Sequence, residues 1–243
     1  MIRIEVKNLQ KKFSNIEAVK KINFKINHNE TLALLGPNGC GKTTTIGMLL
    51  GLITPTSGNI FINEKELNYT NHQFLDEMNF ASPYVELPKK LTVLENLKVY
   101  GKMYLVNNLD KKIEELIEDL NLQNFINKKT GELSSGQKNR VSLAKSLIND
   151  PKILLLDEPT ASLDPDTGDY VRSYLESYKK RNNISILLAS HNMNEVTRLS
   201  NYVLMMKEGL IIDHGTADEL VKKHSRENLE EVFLKLAREK NEH

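Results

Sequence analysis

The chain has 243 residues, 40% of them hydrophobic, and its 33 Lys and Arg against 32 Asp and Glu leave a formal net charge of +1. That length can bury the core of one α/β domain with an inserted subdomain, and the near-neutral charge excludes a global field for nucleic acid or a membrane surface. A single cysteine excludes an internal disulfide and fits a reducing compartment.

The first third reads as a β-rich lobe. Ile2, Ile4 and Val6 alternate like a strand with no apolar core of signal-peptide length, and Ala18 and Val19 lead into a second alternation at Ile22, Phe24 and Ile26. Residues 59–62 follow the turn Thr54-Pro-Thr-Ser-Gly58 as another strand. Before that turn, the apolar run 31–35 enters Gly36, Pro37, Asn38, Gly39, Cys40, Gly41, Lys42, Thr43 and Thr44, then a helical pattern from Ile46. Strand, glycine-rich turn and helix in that order fit G-x-x-x-x-G-K-[ST]. The glycines let the backbone approach an anion, amides from about Asn38 to Thr44 converge on it, and the helix end adds positive potential. Lys42 supplies a charge to the β- and γ-phosphates and the Thr43 hydroxyl a ligand for Mg²⁺, so a nucleoside triphosphate is expected; a glycine-rich turn without ligand is the alternative. Cys40 reads as a small buried residue in place of alanine, whose alkylation would block ATP by bulk. The longest apolar runs, such as 46–53, fall short of the roughly 20 residues needed to cross a bilayer, and a soluble chain is expected.

From Leu91 to Asn149 the pattern is helical. Thr92 and Glu95 form a capping box, and Ile113, Leu116, Ile117 and Leu120 line one face. A third helical stretch, 134–148, starts on serines and stops before Pro151. Leu133, Ser134, Ser135, Gly136 and Gln137 at its start make a second anion-binding end, with an ordinary N-cap as the alternative on spacing alone. After Pro151 strands and helices alternate. The run 153–156 reads as a buried parallel strand ending in Asp157 and Glu158. An aspartate there completes a Mg²⁺ site through water and a neighbouring glutamate orients the attacking water; two carboxylates capping a strand in solvent are the alternative. Asp164 and Pro165 open a helix to about Lys180, 184–189 is another buried strand, and 202–206 with 210–213 flank a hairpin turn at Gly209. The last helix, Glu227 to about Lys240, carries Leu229, Val232, Phe233 and Leu236 on one face. Repeats, low-complexity segments and linkers are absent from the sequence.

The P-loop at 36–44, LSSGQ at 133–137, LLLDEP at 154–159, SLD at Ser162–Asp164 and His191 after SILLAS stand in the order and spacing of the ATP-binding cassette (ABC) family. The sequence resembles that family from about Ile4 to Val232. The resemblance implies an α/β fold: a P-loop NTPase core, mostly parallel sheet flanked by helices, with an antiparallel β lobe and a helical subdomain inserted at about 83–150, all in a single nucleotide-binding domain, 1–243. Two cassettes, as a homodimer or with a paired subunit, would pack head to tail with ATP and Mg²⁺ between the P-loop of one and LSSGQ of the other. Gly36–Thr44 would hold phosphates, with Lys42 also catalytic; Thr43 and Asp157 would serve the metal, and Glu158 the attacking water. Ser135 and Gly136, flanked by Ser134 and Gln137, would meet the γ-phosphate across the interface. Asp164 would communicate between sites, His191 would contact the γ-phosphate, and Phe13 would stack on adenine. Phe13 as a core aromatic, His191 as a satisfied strand-end histidine and Asp164 as a cap alone are the alternatives.

Hydrolysis to ADP and phosphate would then power transport at the cytoplasmic face of the cell membrane, through integral membrane permease subunits that insert a short helix against the helical subdomain. The ending 227–237 resembles single-cassette exporter subunits, and no nucleic acid partner is expected. A soluble cassette ATPase acting on ribosomes or nucleic acid is the alternative; those usually join two cassettes or carry long coiled coils. Other P-loop enzymes would not need LSSGQ, and a GTPase would show N-K-x-D, which the sequence lacks. Three positions depart from the family. No glutamine occurs in Asn79–Glu86, where Ser82 is the nearest match; Ser135 replaces a glycine; and Asn29 stands before Glu30 where glycine is common, at a turn that asparagine tolerates.

Overall fold

A computed structural model describes residues 1–69, 73–161 and 163–238, so Ser162 of the SLD motif lies outside the described residues. The chain divides into two compact units, one of Met1–Phe74 with the chain from Ser185 onward, the other Leu75–Ile184.

In the first unit the β lobe is an antiparallel sheet of β1 (Ile2–Phe13), β2 (Ile16–Asn27), β4 (Ser57–Ile62) and β5 (Lys65–Glu66), in the order β2-β1-β4-β5. Both long strands outrun the apolar alternation that announces them, because lysines at 7, 12, 21 and 25 face solvent while Ile4, Val6, Leu9, Val19 and Ile26 are buried. Strand β3 (Thr31–Leu35), wholly buried, pairs in parallel with β8 (Ser185–Ser190) and with β9 (Tyr202–Lys207), and β9 turns back into antiparallel β10 (Leu210–Gly215). Helix α1 (Lys42–Leu49) follows β3 through the glycine-rich turn. Helices α6 (Met193–Leu199), α7 (Ala217–Lys223) and α8 (Leu229–Arg238) complete the unit. The apolar face foreseen at 229–236 packs here: Leu229 and Val232 share a buried cluster with Ala33, Leu35, Val203 and Met205, and Phe233 and Leu236 lie against it.

In the second unit β6 (Met78–Ala81) pairs in parallel with β7 (Ile153–Asp157). Between them run α2 (Val93–Met103), α3 (Leu109–Asp119) and α4 (Ser135–Ser146), and α5 (Pro165–Asn182) follows β7. The expected capping box closes α2 in both directions: Thr92 accepts from the Glu95 amide and Glu95 from the Thr92 amide. Among the described residues no helix is long and apolar enough to cross a membrane.

Candidate functional site

The turn from β3 into α1 is built for an anion. Gly36 is buried, and a Cβ on it would strike the Met206 carbonyl and lie 2.5 Å from Cys40 Sγ. Gly41 sits at φ 110°, and a Cβ there would be 2.6 Å from the Ala18 carbonyl oxygen. Only glycine fits both places. The floor beneath the loop is the β9–β10 hairpin, whose Gly209 amide donates to Cys40 O at 3.0 Å. Helix α1 starts on Gly41 with no side-chain cap and no acidic residue in its first turn, whereas a side-chain oxygen caps each of α2, α4, α5, α6 and α7. A phosphate thus meets helix-end amides that the residue before the helix does not cap. Lys42 is buried and donates from Nζ to Gly36 O at 2.7 Å and Pro37 O at 3.3 Å, so its charge is held within the loop. Pro37, Asn38, Gly39 and Thr43 are exposed and Thr44 is half-buried. Cys40 is buried, as read from the sequence, and burial pushes its thiol above the ordinary range, which slows the alkylation foreseen there.

Two further predicted residues lie in this unit. Phe13 ends β1 and is 44% exposed, so it is not a core aromatic; Lys11 Nζ stands 4.9 Å from its ring centroid. His191 is exposed between β8 and α6. The turn that presents it is pinned from both sides: Ser190 Oγ donates to Glu195 Oε2 at 2.5 Å and accepts from the Asn192 amide at 3.0 Å, and Asn192 caps α6 by accepting from the Glu195 amide. Sequence reasoning missed Ser190 and Glu195, although Asn-x-x-Glu after a strand is a helix-start signal.

In the second unit, α4 begins with a full capping box. Ser134 Oγ accepts from the Gln137 amide at 3.3 Å and Gln137 Oε1 accepts from the Ser134 amide at 3.0 Å. These two side chains serve each other, leaving exposed Ser135 and half-buried Gly136 at the tip. Strand β7 delivers Asp157 and Glu158, both buried, so the reading of two carboxylates capping a strand in solvent fails. Glu158 has φ 54°, a left-handed conformation that costs a non-glycine residue on the order of 1–3 kcal/mol and gathers at functional sites. Asp164 caps α5 by accepting from the Thr167 amide at 3.0 Å, and that bond holds its carboxyl below the usual range. Ser82 is buried; its Oγ accepts from the Tyr84 amide at 3.3 Å, so the hydroxyl shapes its own turn. Within the first unit the glycine cradle, the lysine and the exposed Thr43 hydroxyl suit a phosphate with its Mg²⁺, which keeps several waters; within the second, β7 ends in a buried pair of carboxylates.

Comparison with known proteins agrees. The family model described as ABC transporter matches residues 19–161. Nod factor export ATP-binding protein I of Cupriavidus pinatubonensis is 30% identical over 220 residues, 90% of this chain and 67% of that protein. Spermidine/putrescine import ATP-binding protein PotA of Clostridium acetobutylicum is 31% identical over 223 residues, 90% of this chain but only 62% of the relative's length. A solved dimeric ATP-binding cassette in a post-hydrolysis state, bound to ADP and Pi, superposes with a TM-score of 0.81 at 26% identity, covering 88% of this chain and 98% of that one. The family match spans more than half of the chain, and its motifs stand at strand ends and helix starts, so the chain belongs to the ABC transporter family as an ATP-binding cassette subunit.

Proposed function

We propose that the chain is the ATP-hydrolysing motor of a membrane exporter, working as one of two cassettes beside separate permease subunits at the cytoplasmic face of the membrane. Its two units act as one nucleotide-binding domain. The observation that carries the reading is the α1 end, a glycine cradle with a buried lysine and no competing side-chain cap. Lys42 and the amides of Gly36–Thr44 bind the phosphates of ATP, and Phe13 stacks on its base. Thr43 and Asp157 hold Mg²⁺, which offsets phosphate charge when bound. Glu158 orients a water toward the γ-phosphate and takes its proton, and His191 keeps both in line. Ser135 and Gly136 meet the γ-phosphate of ATP held by the opposite cassette, with Ser134 and Gln137 shaping that helix end, and Asp164 relays between the sites. The products are ADP and inorganic phosphate.

Export is supported by the similarity to a Nod factor exporter subunit, while an importer subunit matches over a similar length. In Glu158→Gln, turnover is expected to fall about 10²- to 10⁴-fold while MgATP still binds and a closed dimer accumulates on size exclusion. A variant that stays monomeric with ATP counts against the reading. Cargo leaving the cytoplasmic side, followed in membrane vesicles with the partner permease, tests direction.

A further inference from the structure

Helix α4 buries polar side chains where a helix of this kind normally buries apolar ones. Asn139, Ser142 and Ser146 are buried beside Val141, Leu143 and Ala144. Asn139 and Ser142, three residues apart on one helix face, reach out to the loops that follow the unit's two strands. Ser142 Oγ donates to Ser82 O at 3.3 Å, just after β6, and Asn139 Nδ2 donates to Ala161 O at 3.2 Å, just after β7. Ala161 in turn donates its amide to Glu158 O at 3.0 Å. Two hydrogen bonds therefore run from the side chain of Asn139 to the backbone of Glu158, the residue held at φ 54°. Such a conformation persists only where its surroundings over-determine it, and the Glu158–Ala161 turn is closed from the helix side by Asn139.

We infer that Asn139 is a positioning residue that fixes the turn of the catalytic glutamate to the helix carrying Ser135 and Gly136. The inference rests on the roles proposed above for Glu158 and the α4 tip. Its consequence is intersite coupling: the helix end that docks on one cassette's triphosphate and the glutamate that serves the other triphosphate are held together within one protomer. A structural role alone would satisfy the Ala161 carbonyl and stabilise the fold; a positioning role must act through Glu158.

A double-mutant cycle separates the two. Asn139→Leu keeps the approximate shape and removes the donor without adding a charge. We expect kcat to fall about tenfold, as the loss of one part-buried hydrogen bond allows, while MgATP affinity by calorimetry holds within about twofold. In the Glu158→Gln background the same change should lower the residual rate no further, and Asn139→Gln, which restores a donor, should recover part of the loss. An equal fall in both backgrounds, an unchanged kcat, or a parallel loss of MgATP affinity overturns the proposal. Asn139→Ala is read in the same cycle, and failure of both variants to fold assigns Asn139 to stability alone and also overturns it. If Glu158→Gln by itself leaves turnover intact, it is the assignment of Glu158 that fails.

Discussion

The starts of α1 and α4 are both helix ends suited to phosphate, and they are built in opposite ways. At α1 the residue before the helix is a glycine in a left-handed conformation with no side-chain oxygen to occupy the first-turn amides, and Lys42 lies buried beside it. At α4 a serine and a glutamine close the end on each other, and only Ser135 and Gly136 face outward. The residue before the first end offers no side-chain acceptor, and a phosphate can supply one. The second already carries its side-chain cap and adds dipole, amide and hydroxyl to a charge held elsewhere. Affinity should therefore reside at α1, and the contribution of α4 should appear on closure.

The largest test breaks the α1 side. Lys42→Ala removes charge-assisted hydrogen bonds to phosphate and should weaken MgATP binding about 10- to 100-fold by calorimetry; undiminished affinity would dissolve the contrast. A second test compares the lysines of the two helices. Lys145, in the last turn of α4, donates to Asn79 Oδ1 and Phe80 O at 3.2 Å each and lies 5.4 Å from the Tyr100 ring centroid, with neutral partners in all three. Burial pushes its pKa down to about 8. The unfolded chain binds this proton more readily, so the charged lysine costs stability below about pH 8, and stability climbs as pH rises from there toward the ordinary lysine value. Relative to Lys145→Met, the protein should gain on the order of 2 kcal/mol between about pH 7.5 and 10, read from denaturation midpoints. The smallest effect separates neighbouring serines. Ser134→Ala should cost about 1 kcal/mol through loss of the cap, whereas Ser135→Ala should stay within about 0.5 kcal/mol. Equal losses in urea melts would show that the capping box does not carry this helix end.

Legibility varied with the range of the forces involved. Strand β3 runs over the residues its apolar run marks, and β7 one residue beyond, because a fully buried parallel strand is written as a continuous apolar segment. The Thr92, Ser134 and Asp164 caps were legible because a cap is a contact between residues three apart. Helices α6 and α7, seven residues each, went unread because two turns carry too little periodicity. The links Asn139–Ala161, Ser142–Ser82 and Gly209–Cys40 join residues 22, 60 and 169 apart, and no local pattern announces them.

By itself the sequence determined the phosphate loop, the two carboxylates after an apolar strand, the serine-led helix and the family to which they belong, because each is a short-range requirement of backbone shape or capping. Tertiary structure alone decided that Glu158 is held in a left-handed turn, that Ser142 reaches the Ser82 carbonyl and that Asn139 reaches the Glu158 turn. These outcomes depend on which distant carbonyls are buried without water, and burial is a property of the folded chain.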